Sequence, residues 1–183
     1  MTTTVMGIDC STTGVAFSVI EDGRLIRWGK VTFDGNGVFE RLINGQKYVN
    51  SIKDEFDVDY LFFESAIFVQ NKRTVVLMAM ALGAIIPSII KPGVVVDDIP
   101  PITWNNAIGN KAFTKVEKQA IREEFPGKSD SWYQNKQRAI RKDRTRQWVR
   151  NKFGVDIDID DVTDAIAIGY VGWEKVNANQ GRV

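Results

Sequence analysis

The chain has 183 residues, 44% hydrophobic, 26% charged and 10% aromatic, a composition that fits one soluble globular domain and excludes disordered and disulfide-scaffold classes. A single cysteine, Cys10, excludes an internal disulfide or a cysteine-based zinc site, and the absence of histidine removes Ser-His and Cys-His catalysis and His-ligated metals. The net charge is only +1, yet residues 128–152 carry nine Lys/Arg against Asp130 and Asp143, leaving the remainder acidic. That asymmetry predicts a polyanion-binding surface beside acidic chemistry, or else simply a solvated basic face.

In chain order, Val5–Ile8 ends in Asp9 and Val15–Ile20 follows a Ser-Thr-Thr-Gly turn. Asp22-Gly23 marks a two-residue hairpin into Leu25–Phe33, so the chain opens with three antiparallel strands. Phe39, Leu42, Ile43, Tyr48, Val49 and Ile52 give an amphipathic helix, although their spacing is imperfect. Tyr60–Phe63 is a short apolar strand ending in Glu64. A helix over 72–91 closes at Lys91-Pro92-Gly93, and Val94–Val96 forms a fifth strand ended by Pro100-Pro101. Residues 114–125 read as helical, and 133–152 as a longer basic helix reached through a flexible Pro126–Ser131 break. The last helix runs from about Asp160 to about Asn177. Three strands, then alternating helices and strands, predict an α/β fold: a mixed five-stranded sheet with helices on both faces.

The start of the chain carries no signal-peptide pattern, and the only membrane candidate, Thr74–Ile90, sits at the short limit of about 17 residues for a span. A buried helix and a cytoplasmic protein are expected. The chain is read as one domain over 1–183, with a basic helical segment at about 126–152.

Four acids stand where structure alone does not demand them. Asp9 and Glu64 each end an apolar strand, and Asp161 and Asp164 share one face at the start of the last helix. Ligands gather beyond the carboxyl ends of parallel strands, where Asp9 and Glu64 emerge together if their strands are neighbours. Converging carboxylates need a counter-charge. Without histidine or an available thiolate, hard Mg²⁺ or Mn²⁺ is the natural partner, and two such ions about 3.5–4 Å apart suit phosphodiester hydrolysis. Taken singly, each acid also reads as a turn residue, a solvated strand end or a helix-dipole partner.

Gly7-Ile8-Asp9 followed by Thr13-Gly14-Val15-Ala16 resembles the first strand and hairpin of ribonuclease H-like nucleases. Phe62-Phe63-Glu64-Ser65, with Asn71 and the Leu82-Gly83-Ala84 helix, resembles the second motif of RuvC-type Holliday junction resolvases. Pro101, Trp104, Gly109 and Lys115 resemble that family's stretch before its catalytic lysine, and Asp161-Val-Thr-Asp164-Ala-Ile-Ala its closing acidic helix. The similarity runs from about 5 to 172 in matching order. It implies a ribonuclease H-like fold and a metal-dependent endonuclease acting on four-way or other branched DNA as a homodimer. It further implies that Asp9, Glu64, Asp161 and Asp164 hold two Mg²⁺ or Mn²⁺ ions, and that Lys115, or alternatively Lys111, is the cation near the scissile phosphate.

The chain departs from the family pattern at two places. Cys10-Ser11-Thr12 replaces a longer Pro-Gly loop, and Ile67 stands where the family has a stacking aromatic, with Phe68 one step later. A long, basic 126–150 segment adds to the picture of a divergent, phage-type member.

Phe68, Lys72, Arg73 and Lys111 are expected to reach DNA. So are Arg138, Arg141, Lys142 and Arg146, which line one face of the basic helix at 3–4 spacing as a solvated arm contacting four phosphates. Ala79, Gly83 and Ala84 permit close approach of a partner helix. Two other readings compete. Asp9-Cys-Ser-Thr-Thr-Gly also resembles the phosphate loop of sugar kinases and actin-like ATPases, which need two such lobes. A non-catalytic DNA-binding module would keep the basic segment but need no acid cluster.

Overall fold

The computed structural model describes residues 2–65 and 72–181. Strands β1 (Thr4–Ser11), β2 (Gly14–Glu21), β3 (Arg24–Thr32), β4 (Tyr60–Glu64) and β5 (Val95–Ile99) form one sheet in the order β3-β2-β1-β4-β5. The β1/β2 and β2/β3 pairs are antiparallel; β1/β4 and β4/β5 are parallel. This is the mixed sheet expected from the hairpin trio and the later alternation. The β2–β3 turn is the Asp22-Gly23 pair, both at positive φ (47° and 79°), the geometry that matches strand twist.

Period-two alternation sorts β1 between two layers. Met6, Ile8 and Cys10 point into a core shared with α1 (Val38–Ile52) and α2 (Lys72–Ile89). Val5 joins the opposite core, and Gly7 and Asp9 alternate to that same side, beneath α6 (Asp160–Gln180). Helix α2 is long and apolar enough to cross a membrane by length and composition. Its residues Ala81, Ile85, Ile86 and Ile89 are buried in the first core instead.

Helix α6 lies on the sheet at backbone contact. A Cβ on Gly7 would stand 2.2 Å from Ala165 O, and one on Gly169 would stand 3.1 Å from Gly7 N. Ser18 Oγ, fully buried on β2, donates to Ala165 O at 2.8 Å and locks the helix in register over the strands.

Between β5 and α6 come α3 (Pro101–Ala107), α4 (Lys115–Glu124) and α5 (Asp130–Phe153). The fifth strand, expected over Val94–Val96 with Pro100-Pro101 as its stop, reaches those prolines. It continues through Asp97 and Asp98 to Ile99, with Asp97 bonded to Lys175 of α6 at 2.7 Å. Helix α3 was not anticipated; Pro101 at its first position starts it directly after the strand.

The Pro126–Ser131 break is expected from the sequence to be flexible. It is a built turn: Ser129 caps α5 by accepting from Trp132 N, and Tyr133 Oη donates to Phe125 O at 2.5 Å. Tyr133, Thr145 and Val149 are buried, so α5 is docked along its length. Gly154 ends it in the left-handed conformation that favours glycine (φ 71°).

Candidate active site

The parallel register pairs Gly7 with Phe62 and Ile8 with Phe63, so Asp9 and Glu64 come next on neighbouring strands. Both lie on the α6 side of the sheet. The close seat of α6 at Gly7 brings its first turns, with Asp161 and Asp164, over the same strand ends. Four acids far apart in sequence thereby share one electrostatic site.

Their mutual influence appears in their acidities. Burial raises the Asp9 carboxyl to about 8, with further contributions from Asp164, Glu64 and Asp161, against a lowering by Lys30. Burial likewise raises Asp164 to about 7, reinforced by Glu64. Glu64 is also pushed up by burial, opposed by a hydrogen bond from Trp104 and by the charge of Arg141. Asp161 is held differently: Lys30 Nζ of β3 bonds its Oδ2 at 2.5 Å. Among the described residues no three acids already form a closed ligand set. The donor chemistry nonetheless fits a hard cation. All the donors are carboxylate oxygens, they repel one another, and burial pushes the neighbouring Cys10 thiol up to about 12, out of use as a thiolate.

Two of these acids, Glu64 and Asp164, line a cleft of about 520 Å³ between α3, α4 and α5. Lys118, Arg138, Arg141 and Lys142 line it with them. Trp104 and Phe113 supply apolar wall. Trp104, almost fully buried, donates from Nε1 to Glu64 Oε2 at 2.9 Å. Asn110 ties the loop after α3 to α5, with its Nδ2 2.8 Å from Arg141 O and 3.0 Å from Thr145 Oγ1.

The expected four-cation stripe on α5 divides in two. Lys142 and Arg146 both bind Asp160, the first residue of α6; the Arg146 contact is 2.6 Å. Burial tends to raise the Asp160 carboxyl, but these two cations outweigh it and hold it below the usual range. Arg138 and Arg141 have no ion-pair partner among the described residues and face the cleft. The solvated arm of four equivalent cations is therefore corrected to two committed and two available. Arg144 of the same helix pairs with Glu117 of α4 at 3.3 Å.

Other sequence-derived candidates fall outside the cleft lining. Lys115 opens α4 on the surface, and Lys111 is exposed in the preceding loop; of the α4 lysines it is Lys118, one turn beyond Lys115, that lines the cleft. Lys72 and Arg73 are exposed at the start of α2, and Phe68 lies outside the described residues.

Sequence reasoning missed Lys30, Asp160 and Lys118, and gave Trp104 no role. Asp160 had a readable signal, since it stands four residues before Asp164 on a helix; Lys30 had none, because its partner is 131 residues away.

Comparison with known proteins adds an independent line. A family model described as crossover junction endodeoxyribonuclease RuvC matches residues 5–123, a span that includes Asp9 and Glu64 and ends before α5 and α6. No curated protein sequence matches the chain. Among solved structures, that of T. thermophilus RuvC in complex with Holliday junction substrate aligns with a TM-score of 0.68 at 17% identity, over 97% of this chain and 96% of that one. A second Thermus thermophilus RuvC structure aligns with a TM-score of 0.67 at 17% identity, over 96% of each chain. At that identity the likeness speaks for the fold, which is ribonuclease H-like.

Proposed function

The chain belongs to the RuvC family of crossover junction endodeoxyribonucleases, and from that premise we propose that it hydrolyses phosphodiester bonds in four-way and other branched DNA at the Asp9/Glu64/Asp164 cleft. The observation that carries the reading is that Glu64 and Asp164, part of a group of buried acids that raise one another's pKa, line one cleft together with Arg138 and Arg141. The acids suit cations that activate water, and the arginines suit the phosphates on either side of the cut.

The family depends on a divalent metal. In this chain Asp9, Glu64 and Asp164, with Asp161, would hold it, as two Mg²⁺ or Mn²⁺ ions. Bound there, such ions lower the pKa of water and offset the charge of the phosphodiester. The chain's own residues do the rest. Trp104 orients one Glu64 oxygen and Lys30 holds Asp161 at the rim. The Lys142–Asp160–Arg146 cluster ties the start of α6 to α5, so that Asp164 stays over β1. In the reaction a bond forms between phosphorus and the water oxygen, one ester P–O bond breaks, and the departing sugar oxygen gains the proton that water loses. Lys115, Lys111, Lys72 and Arg73, all exposed, are assigned to phosphates flanking the cleft, and Phe68 to contact with the DNA near the branch.

The chain would act over its whole length as one nuclease domain, in the cytoplasm of a bacterial or phage-infected cell, and as a homodimer. Exposed apolar side chains on α1 and α2, among them Phe39, Ile43 and Val76, together with the open surface at Gly83, support a second copy on that side. The kinase-like alternative is set aside because the family model that matches residues 5–123 is that of RuvC.

The decisive experiment is cleavage of four-way, three-way, flap and linear DNA with and without Mg²⁺, by the wild-type chain and by Asp9→Asn and Glu64→Gln. Metal-dependent cutting of branched DNA, abolished in both variants while junction binding survives, is the expected result. Full activity in either variant would overturn the site.

A further inference from the structure

Arg141 occupies a peculiar place on α5. Its Nε is buried with no hydrogen-bond partner among the described residues, although the neighbouring Lys142 and Arg146 are both satisfied by Asp160. Its backbone is not free to move: Asn110, itself 3% exposed, donates to Arg141 O, and Thr145 Oγ1 donates to the same oxygen at 3.3 Å. The side chain lines the same cleft as Glu64 and Asp164 and lies near enough to Glu64 to act on its charge. A guanidinium held in a partly desolvated position, with a donor left unpaired, lacks an anion. Glu64 does not take that role, because it accepts from Trp104 and no Arg141–Glu64 ion pair forms.

We propose that Arg141 is a catalytic residue that grips the scissile phosphate from the α5 side of the cleft, in the position of the transition-state cation that Lys115 was expected to fill. A phosphodiester entering between the acids and α5 presents two non-bridging oxygens, and the planar guanidinium fork matches that pair as an ammonium does not. As the water oxygen adds, negative charge grows on those oxygens, so a fixed cation there binds the transition state more tightly than the ground state. Arg138, one helical turn earlier and also lining the cleft, takes a flanking phosphate and contributes to affinity. Lys115, at the exposed start of α4, stands outside this lining.

The assignment rests on the nuclease reading of the same cleft, and one set of measurements separates the two. Single-turnover cleavage of a four-way junction is followed in Mg²⁺ at saturating protein, with junction binding measured without metal. Arg141→Gln is expected to cut about 100-fold more slowly or worse, with its Kd raised no more than about tenfold. Arg141→Lys, which keeps the charge and loses the fork, should recover part of the rate; it also carries the test if Arg141→Gln fails to fold. Arg24→Gln, at an exposed position on β3 outside the cleft lining, should retain the saturated rate to within about threefold. An Arg141→Gln or Arg141→Lys enzyme that cuts at the wild-type rate would overturn the assignment, as would a larger rate loss in Lys115→Gln. If wild-type protein cuts no branched DNA, or Asp9→Asn cuts at full rate, the nuclease site itself is wrong. If Asp9→Asn is inactive and Arg141→Gln is not, only the arginine assignment fails.

Discussion

Gly7 of β1 and Gly169 of α6 meet at backbone contact, so that a Cβ built on Gly7 would lie 2.3 Å from Gly169 N. This pairing sets the height of α6 above the sheet and therefore the distance of Asp161 and Asp164 from Asp9. Gly7→Ala drives a methyl into main-chain atoms that have no rotamer to yield, a severe case of overpacking. It should cost at least the roughly 1–3 kcal/mol typical of such insertions, and either unfold the protein or displace α6. Thermal unfolding and the Mg²⁺ requirement for cleavage measure the two outcomes. A Gly7→Ala protein of wild-type stability would show that α6 does not sit as described.

Acid crowding makes the metal-free fold sensitive to pH in a defined direction. Asp9 and Asp164 titrate at about 8 and about 7 in the fold, against an ordinary 3.8. Between roughly pH 4 and 8 the folded protein therefore holds protons that the unfolded chain has released, and stability falls as pH rises through that window. Asp160, held low, works the opposite way, and its contribution is lost under acid conditions. The melting temperature of metal-free protein should decline from pH 5 to pH 8, by on the order of a few kcal/mol in stability. Asp9→Asn should flatten the decline and stabilise the apo protein at pH 8, and Mg²⁺ should do the same for wild type. A melting temperature that rises over this range would contradict the crowding.

Trp104→Phe keeps an aromatic ring at this buried position and removes the donor to Glu64. Ligand-orienting partners of this kind are worth about 10–100-fold in metal affinity or activity. Cleavage by the variant should require more Mg²⁺ at half-saturation, and the acidic limb of its pH profile should move upward, because Glu64 loses an interaction that lowers its pKa. An unchanged Mg²⁺ titration would make Trp104 a packing residue only.

Salt dependence reads out how many α5 cations are free. Four contacting cations would contribute a slope of about 3.6 in log affinity against log salt, whereas Arg138 and Arg141 alone contribute about 1.8. Replacing that pair with alanine should flatten the dependence by the smaller amount, for all DNA structures alike. Lys142→Ala and Arg146→Ala should change the slope little and instead lower stability, by exposing Asp160 at the α5–α6 junction. The reverse pattern would show that Asp160 releases its cations to DNA.

Ile43→Glu or Val76→Glu, each at an exposed apolar position on the α1/α2 side, should convert a dimer to monomer in sedimentation with the fold intact. Unaltered dimers from both would move the contact to another face.

Much of this site is legible in the order of the amino acids. The alternation of β1 already commits Asp9 to the face of Val5 and Gly7, and helical spacing commits Asp161 and Asp164 to one side of α6. Apolar runs ending in Asp9 and Glu64, with the Asp22-Gly23 hairpin, specify strands and turns through local sterics and patterning, which act over a few residues. Where those patterns are short or interrupted, reading falters: β5 ran on through two aspartates, and α3 was hidden behind two prolines. The choice of ionic partner is of another kind. Lys30 meets Asp161, Trp104 meets Glu64, and Lys142 with Arg146 closes on Asp160, because folding brings distant segments within hydrogen-bonding range and desolvates them together. Charge attraction of useful size acts over a few ångströms of space and is blind to sequence separation. The sequence could therefore count nine cations in the basic segment. Only the packing of α5 on α6 decided that Lys142 and Arg146 pair with Asp160 while Arg138 and Arg141 line the cleft without an ion-pair partner among the described residues.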